Sequence, residues 1–345
     1  MFGLYRTFLA FMVAIHHLLS IPIIGQYAVH GFFILSGYLM TYVMHNTYGY
    51  SLRGIKFFIL NRFLRLYPIY WIVIILTIFL ISIYGEGNSR QYREFIFLPN
   101  SCFEWFQNLS LVYFDFFPNT VKPRLSPPTW ALTIELFFYL LISIGISRSK
   151  NVTLLWFSGS IFYMACTHFF NLGYDYRYFS VISGSMAFSL GGIIFHFYTN
   201  IKSNFFFRLL PKNIFYFYIL FLLNALLAMS LKYFYFNYGL DNICFYNNIL
   251  INFVTIVFLI DSRYFLKKYD YIIGNFSYPL YLIHWQAGFL ASMILWNEPL
   301  RGFNLHSIIS FTLAIFISVS FSYVIIIFVD RPINGMRNFL KSINF

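Results

Sequence analysis

Arg6 and His17, eleven positions apart on the first apolar stretch, are the side chains whose types and spacing point most directly to chemistry. At about 100° per residue, eleven steps close three helical turns with ~20° left over, so both side chains leave one face, about 16 Å apart along the axis. A permanent cation and a titratable imidazole then share one stripe of a helix otherwise suited to hydrocarbon. Ionisable groups placed there cost several kcal/mol and are functional candidates by default. The plainer reading has Arg6 snorkelling to the headgroups and His17 packed and hydrogen-bonded.

Four more blocks could meet that stripe. Ala28 to Tyr38 carries Gly31, Ser36 and Gly37, which let another helix approach closely, with Ser36 able to bond across the contact. Asn61-Arg62-Phe63-Leu64-Arg65-Leu66-Tyr67-Pro68 sets two guanidiniums three positions apart where the third span leaves the cytoplasm. They read either as an orientation anchor or as a forked phosphate clamp that lysine cannot reproduce. Trp130-Ala131-Leu132-Thr133-Ile134-Glu135 places a carboxyl group about one turn below the other interface, where it needs a partner or a proton. Phe276 to Trp285 puts His284 near mid-membrane. One buried histidine is ordinarily structural; several ionisable groups converging would be harder to dismiss.

The elements that must position these groups follow from composition. Of 345 residues, 60% are hydrophobic, 24% aromatic and only 10% charged, with a mean hydropathy of +0.70. That excludes a soluble domain and predicts an all-α, polytopic transmembrane bundle with a central cavity. Stretches of about 20 apolar residues suggest about ten spans. They lie near Leu4–Ile24, Ala28–His45, Leu66–Tyr84, Trp130–Ile146, Val152–Phe170, Val181–Tyr198, Ile214–Lys232, Asn247–Ile260, Phe276–Trp296 and His306–Val329. The first lacks a small-x-small cleavage site and is interrupted by Arg6, so it reads as a retained span. No internal repeat or low-complexity linker divides the chain, which reads as one domain over residues 1–345.

The net charge of +12 does not argue for nucleic acid, because the cations fall in short loops. Alternating spans from a cytoplasmic N-terminus puts sixteen of the 23 Lys and Arg inside, among them Arg6, Arg53, Lys56, Arg62, Arg65, Arg148, Lys150, Lys212, Arg263 and Arg337. Both termini are therefore expected in the cytoplasm. The segment from Gly85 to Thr129 is the one long outer region; its prolines argue against a continuous helix, and its aromatics suit an interfacial belt better than a sugar-stacking platform. Cys102, Cys166 and Cys244 have no metal-binding spacing, and no metal site is expected. Cys102 and Cys244 both fall in expected outer loops, where a disulfide is open but free thiols are favoured.

Together these blocks resemble the membrane-bound acyltransferase-3 family. The resemblance rests on Arg6-x10-His17, Phe32-Phe33-x-x-Ser36-Gly37, Arg62-x-x-Arg65-x-x-Pro68, Trp130-x-Leu132-x-x-Glu135-x-x-Phe138-Tyr139, Ser277-Tyr278-Pro279-x-Tyr281-Leu282-x-His284 and Asp330-Arg331-Pro332. Each is weak alone; their order and spacing across nearly the whole chain carry the match. The chain departs from the family in lacking the acidic residue and Gly often found just before the first arginine, in His16 beside His17 where an aromatic is usual, in His30 where Asp is common, and in Asp330 where Glu is frequent. His16 points about 100° away from His17 on a helix and is not expected to be the reactive imidazole.

The resemblance implies an O-acyltransferase that takes an acyl group, commonly acetyl, from cytosolic acetyl-CoA and passes it to a hydroxyl of a glycan or lipid-linked sugar, such as O-antigen or another lipopolysaccharide component. It implies residence in a bacterial inner membrane, with acetyl-CoA as donor substrate and no bound cofactor. Arg62 and Arg65, with Arg6 nearby, would hold the coenzyme A phosphates. His17 would act as general base or transient acyl carrier, Glu135 and His284 would orient it or move its proton, and Ser36 and Trp130 would serve the substrate passage. At this length no fused extracellular domain is expected. A secondary transporter or lipid-linked-sugar flippase, and a polysaccharide polymerase or ligase, are the rival readings. Transporters of that kind commonly pair halves with broken helices, and no such interruption recurs here.

Overall fold

The computed structural model describes residues 2–211, 213–234, 240–261 and 267–343, and among these every regular element is helical. In chain order they are α1 (Gly3–Leu18), α2 (Ile24–Val43), α3 (Leu52–Tyr84), α4 (Glu86–Tyr92), α5 (Cys102–Ser110), α6 (Trp130–Ile144), α7 (Lys150–Phe169) and α8 (Tyr174–Tyr178). There follow α9 (Gly184–Ser203), α10 (Phe205–Leu209), α11 (Phe215–Phe234), α12 (Leu240–Asp261), α13 (Lys267–Trp296), α14 (Leu305–Ile325) and α15 (Arg331–Ile343). Short π-helical stretches extend α2 through Met44–Tyr48 and α14 through Ile326–Asp330.

Each of the ten expected spans falls on a helix, in order, and among the described residues seven of those helices are long and apolar enough to cross a membrane. The other three are α1, α9 and α13. Of these, α1 has only 16 residues, and α13 carries Asp270, Ser277, His284 and Gln286. All three are covered by protein: α1 packs on α13 and α2, and α9 on α2 and α7. A helix surrounded by other helices tolerates polar side chains that lipid would reject.

The senses of packing are ordered as well. Parallel pairing of α1 with α13 is set by Thr7 Oγ1 donating to the Ile273 carbonyl at 2.8 Å near one end and by the His17 ring lying 5.3 Å from His284 at the other. Next, α3 runs parallel to α13, with Tyr278 Oη donating to the Leu66 carbonyl and Gln286 Nε2 to Thr77 Oγ1, each at 2.8 Å. Phe33 against Phe188 and Tyr42 against Phe195 make α2 parallel to α9. These are the senses that alternating first, third and ninth spans, and second and sixth spans, would have.

Two close approaches bring the helices to that spacing. At the start of α1, a Cβ on Gly274 would lie 2.5 Å from the Gly3 Cα, so only paired glycines let α1 and α13 touch here. A Cβ on Gly37 would lie 2.2 Å from the Phe188 carbonyl oxygen, which closes α2 on α9 in the way its sequence suggests. The Asp270 carboxylate accepts from the backbone N–H groups of Gly3 at 3.1 Å and Leu4 at 2.9 Å. It satisfies two orphan donors and meets the positive end of the α1 dipole, a contribution of about 1 kcal/mol. A buried chain from Tyr5 Oη to Asn252 Oδ1 (2.6 Å), then from Asn252 Nδ2 to the Asn248 carbonyl (2.8 Å), and from Asn248 Nδ2 to the Tyr27 carbonyl (3.2 Å) ties α1, α12 and α2 together.

The third helix is longer than its apolar stretch. Ser51 Oγ accepts from the Gly54 N–H at 3.1 Å and starts α3 at Leu52, giving 33 residues. At 1.5 Å per residue that is about 50 Å, against a hydrocarbon layer of about 30 Å. Arg62 and Arg65 therefore stand on continuous helix rather than on a loop. In contrast to the expected outer loop, Cys244 lies inside α12, which begins at Leu240 instead of Asn247, and it is buried. None of the three cysteines is in a disulfide among the described residues, so the open pairing of Cys102 with Cys244 is not made. Of the expected inner cations, Lys212 and Arg263 lie outside the described residues.

Residues 85–129 form no continuous helix. They fold into α4, α5 and connecting loops over one end of the bundle, where the Tyr92 ring lies 5.8 Å from Trp285 and 5.4 Å from Phe289 of α13. Phe103, Phe106, Phe114 and Phe116 are exposed, while Tyr113 and Phe95 turn inward.

Candidate active site

The parallel α1–α13 pair carries the site from one end to the other. At the end where α1 begins, a cavity of about 190 Å³ is lined by Arg6, Arg65, Asp330, Asn334 and Arg337 among others. Arg6, Arg65, Ser277 and Tyr278 also line a narrower inner chamber of about 80 Å³, which adds Ser36, Arg62, Glu135 and Tyr139. Farther along, under the roof of residues 85–129, an outer chamber of about 360 Å³ is lined by His16, His17, Trp130 and Trp285. Val29 and Tyr281 line both the inner and the outer chamber.

The inner chamber is a guanidinium cluster. Arg62 Nη2 donates to Asn61 Oδ1 at 2.9 Å and Nη1 points to the Met40 sulfur at 3.6 Å. Arg337 donates to the same Asn61 oxygen from Nε and Nη2, both at 3.3 Å, and from Nη1 to Asn334 Oδ1 at 2.6 Å. Asn61 thus holds two arginines with a single neutral acceptor. The Nε atoms of Arg6 and Arg62 are buried without a hydrogen-bond partner among the described residues. Glu135 does not neutralise the cluster by pairing with it: its carboxylate accepts from Ser36 Oγ at 2.6 Å and from Tyr139 Oη. Several forked donors around a void are the arrangement that phosphate oxygens fill.

At the far end of α1 imidazoles join the lining. The His17 ring is stacked on His284, 5.3 Å away at an interplanar angle of 10°, and touches Trp285 at 5.0 Å and His16 at 4.7 Å. His284 Nδ1 lies 2.8 Å from the Tyr281 carbonyl, which can only accept. In the neutral ring this places the proton on Nδ1 and leaves Nε2, buried and without a partner among the described residues, as a lone-pair site behind His17.

The expected site residues therefore form two groups. Arg6, Arg62, Arg65, Ser36 and Glu135 meet in the inner chamber; His17 and Trp130 line the outer one, and His284 backs His17. This corrects the expectation that Glu135 orients His17. Glu135 sits five residues beyond Trp130 on α6, about 7.5 Å farther from the roof, and its bonds are to Ser36 and Tyr139. His16 is corrected in the other direction. Although it points away on an ideal helix, α1 ends one residue after His17, and His16 Nδ1 reaches the Ile21 carbonyl of the following turn at 2.5 Å, with the ring lining the same chamber as His17. His30 is packing, its ring 4.7 Å from Phe245 and 5.3 Å from Tyr178.

Sequence reasoning missed Arg337 and the three arginines of the outer chamber, Arg93, Arg124 and Arg301. Arg337 was counted only as an inner cation, and its burial to 9% exposure is the signal of a different role. Arg124 is 2% exposed, and burial pushes its pKa down to about 10, which leaves it charged at neutral pH. Burial also lowers Arg93 and Arg301. Among the described residues no group of three or more His, Cys, Asp or Glu is placed to hold a metal ion.

A family model described as an acyltransferase domain matches residues 3–327. The chain belongs to acyltransferase family 3. Members of this family are O-acyltransferases, and this helical membrane protein is an acyltransferase. No curated protein and no solved structure matches it significantly. Within this acyltransferase the matched region takes in α1 through most of α14 with its extension, so both chambers lie inside it.

Proposed function

We propose that this acyltransferase takes acetyl from acetyl-CoA in the cytosol and delivers it, through the bundle, to a hydroxyl of a cell-surface or lipid-linked glycan on the far side of a bacterial inner membrane. The observation that carries this reading is the pair of chambers that share a wall made of Val29 and Tyr281, both lined by arginines but only the outer one by imidazoles, those of His16 and His17. Arg6, Arg62, Arg65 and Arg337 would take the diphosphate and phosphate groups of coenzyme A at the cytoplasmic mouth. The pantetheine arm would thread past Val29 and Tyr281, covering the separation of about 16 Å between the levels of Arg6 and His17.

There, His17 removes the proton of the acceptor hydroxyl as its oxygen attacks the thioester carbonyl. The carbon–sulfur bond breaks, the acetyl ester forms, and coenzyme A leaves as the free thiol. In the alternative order, His17 attacks first, carries the acetyl group on its ring, and yields it to the acceptor. His284, stacked behind it, holds the ring and offers Nε2 as a relay site for the proton. Ser36 and Tyr139 keep the Glu135 carboxylate engaged, so that it does not close over the arginines.

The full chain in lipid nanodiscs, supplied with acetyl-CoA and envelope glycan fractions, should release free thiol only when the right acceptor is present, with an acetyl ester appearing on that glycan by mass spectrometry. Sugar flux or chain growth without thiol release would instead favour a flippase or a polymerase.

A further inference from the structure

The outer chamber is more cationic than transfer between an uncharged thioester and an alcohol requires. Arg93, Arg124 and Arg301 all line it, and no Asp or Glu does among the described residues. Each guanidinium is held by groups that leave its charge uncompensated. Arg124 Nη1 donates to the Pro118 carbonyl at 2.7 Å, and its guanidinium lies 4.4 Å over Phe95. Arg93 lies 4.6 Å over the same ring, and Arg301 lies 5.1 Å over Trp285. Ring faces attract cations but accept few N–H bonds, and the buried Nε atoms of Arg93 and Arg124 have no hydrogen-bond partner among the described residues. Glu94, the carboxylate next to Arg93, is engaged by Lys122 at 2.9 Å, with its side chain 62% exposed. Three like charges gathered beside His17 repel one another, and an anion in the chamber would relieve that repulsion.

We propose that the acceptor is an anionic glycan, whose carboxylate or phosphate is gripped by Arg93, Arg124 and Arg301 so that a neighbouring hydroxyl faces His17. This rests on the reading that the His17 chamber is the acceptor side of the transfer. The forked donors select a carboxylate or phosphate oxygen pair over a neutral hydroxyl, and Phe95 and Trp285 fix the forks in place. Carboxylate and phosphate share this chemistry but come from different sources: a uronic acid within the glycan, or the diphosphate that links a sugar to its lipid carrier.

The test uses the full chain in nanodiscs of phosphatidylcholine, with three probes: digalacturonate, galactobiose as its neutral counterpart, and galactose linked to a polyprenyl diphosphate. Binding is read directly by calorimetry, and transfer by thiol release from acetyl-CoA. One of the two anionic probes should bind at least tenfold more tightly than galactobiose, with an advantage that shrinks as salt is raised. In Arg301→Gln and Arg93→Gln that advantage should fall about tenfold, and Arg301→Lys should restore part of it. Preference for digalacturonate assigns a uronate, and preference for the lipid-linked sugar assigns the diphosphate. Equal binding of all three probes, or a loss in the variants confined to acetyl-CoA, overturns the proposal. Should the glutamine variants fail to fold, the preference and salt dependence of the wild-type chain decide it alone. Tight anion binding with no thiol release for any acceptor would sustain this inference and remove the acetyl-transfer reading; thiol release to neutral sugars with no anion preference would do the reverse.

Discussion

Two residues set opposite demands on substitution. His17 lines the outer chamber and is backed by His284, so His17→Ala is expected to lower acetyl transfer at least a hundredfold while leaving the chain folded in the membrane. Thiol release together with thermal unfolding in detergent checks this, and normal transfer by a well-folded variant would remove the catalytic role. Arg62 is a question of shape rather than charge. Its fork is already set by Asn61 and Met40, so Arg62→Lys should raise KM for acetyl-CoA about tenfold although the charge is kept, a loss of about 1.4 kcal/mol. An unchanged KM would count against forked recognition. The stripe from Arg6 to His17 was legible from helical periodicity, and the structure keeps both side chains on the cavity side of α1. Less legible were the residues whose placement no local pattern announces: Arg337, and Arg93, Arg124 and Arg301, three cations from separate connecting segments that converge only when the roof folds over α13.

Among the elements, the α1–α13 pair does the positioning. Gly3 and Gly274 let the two backbones touch, and the Asp270 carboxylate fastens the start of α1. Gly274→Val should push the helices apart where Arg6 enters the chamber, lowering Tm by several degrees and weakening acetyl-CoA binding more than acceptor binding. Asp270→Asn, which keeps the shape but loses the charge, should cost about 1 kcal/mol. Equal Tm values for both variants and the wild type would mean that the pair is held elsewhere. Helix existence and order could be read from hydropathy, because a run of apolar residues announces a span whatever surrounds it. The special standing of α1, α9 and α13 could not: a short or polar helix inside a bundle looks in sequence like a poor membrane span, and only the packing shows that other helices take the place of lipid. The same blindness placed Cys244 in a loop when it is a buried residue of the second turn of α12.

For the whole molecule, the expected orientation has a direct reporter. Cys102 is exposed in the roof, whereas Arg53, near the start of α3, marks the opposite end. In intact cells stripped of their outer membrane, a membrane-impermeant maleimide should label Cys102, and should label Arg53→Cys in a Cys102→Ser background only after the inner membrane is opened; the reverse pattern would invert the proposed topology. Donor and acceptor would then meet across a partition rather than in one open channel. Val29 and Tyr281, the latter tethered through its hydroxyl to the Pro128 carbonyl at 2.8 Å, stand where two water-accessible halves would otherwise join. A continuous aqueous pore would short-circuit the proton gradient on which the cell runs. Under the proposed transfer, an aliphatic residue and an anchored phenol would part for a slender thioester arm and otherwise insulate against ions, so that the bundle would export an acyl group and still behave electrically as part of the bilayer.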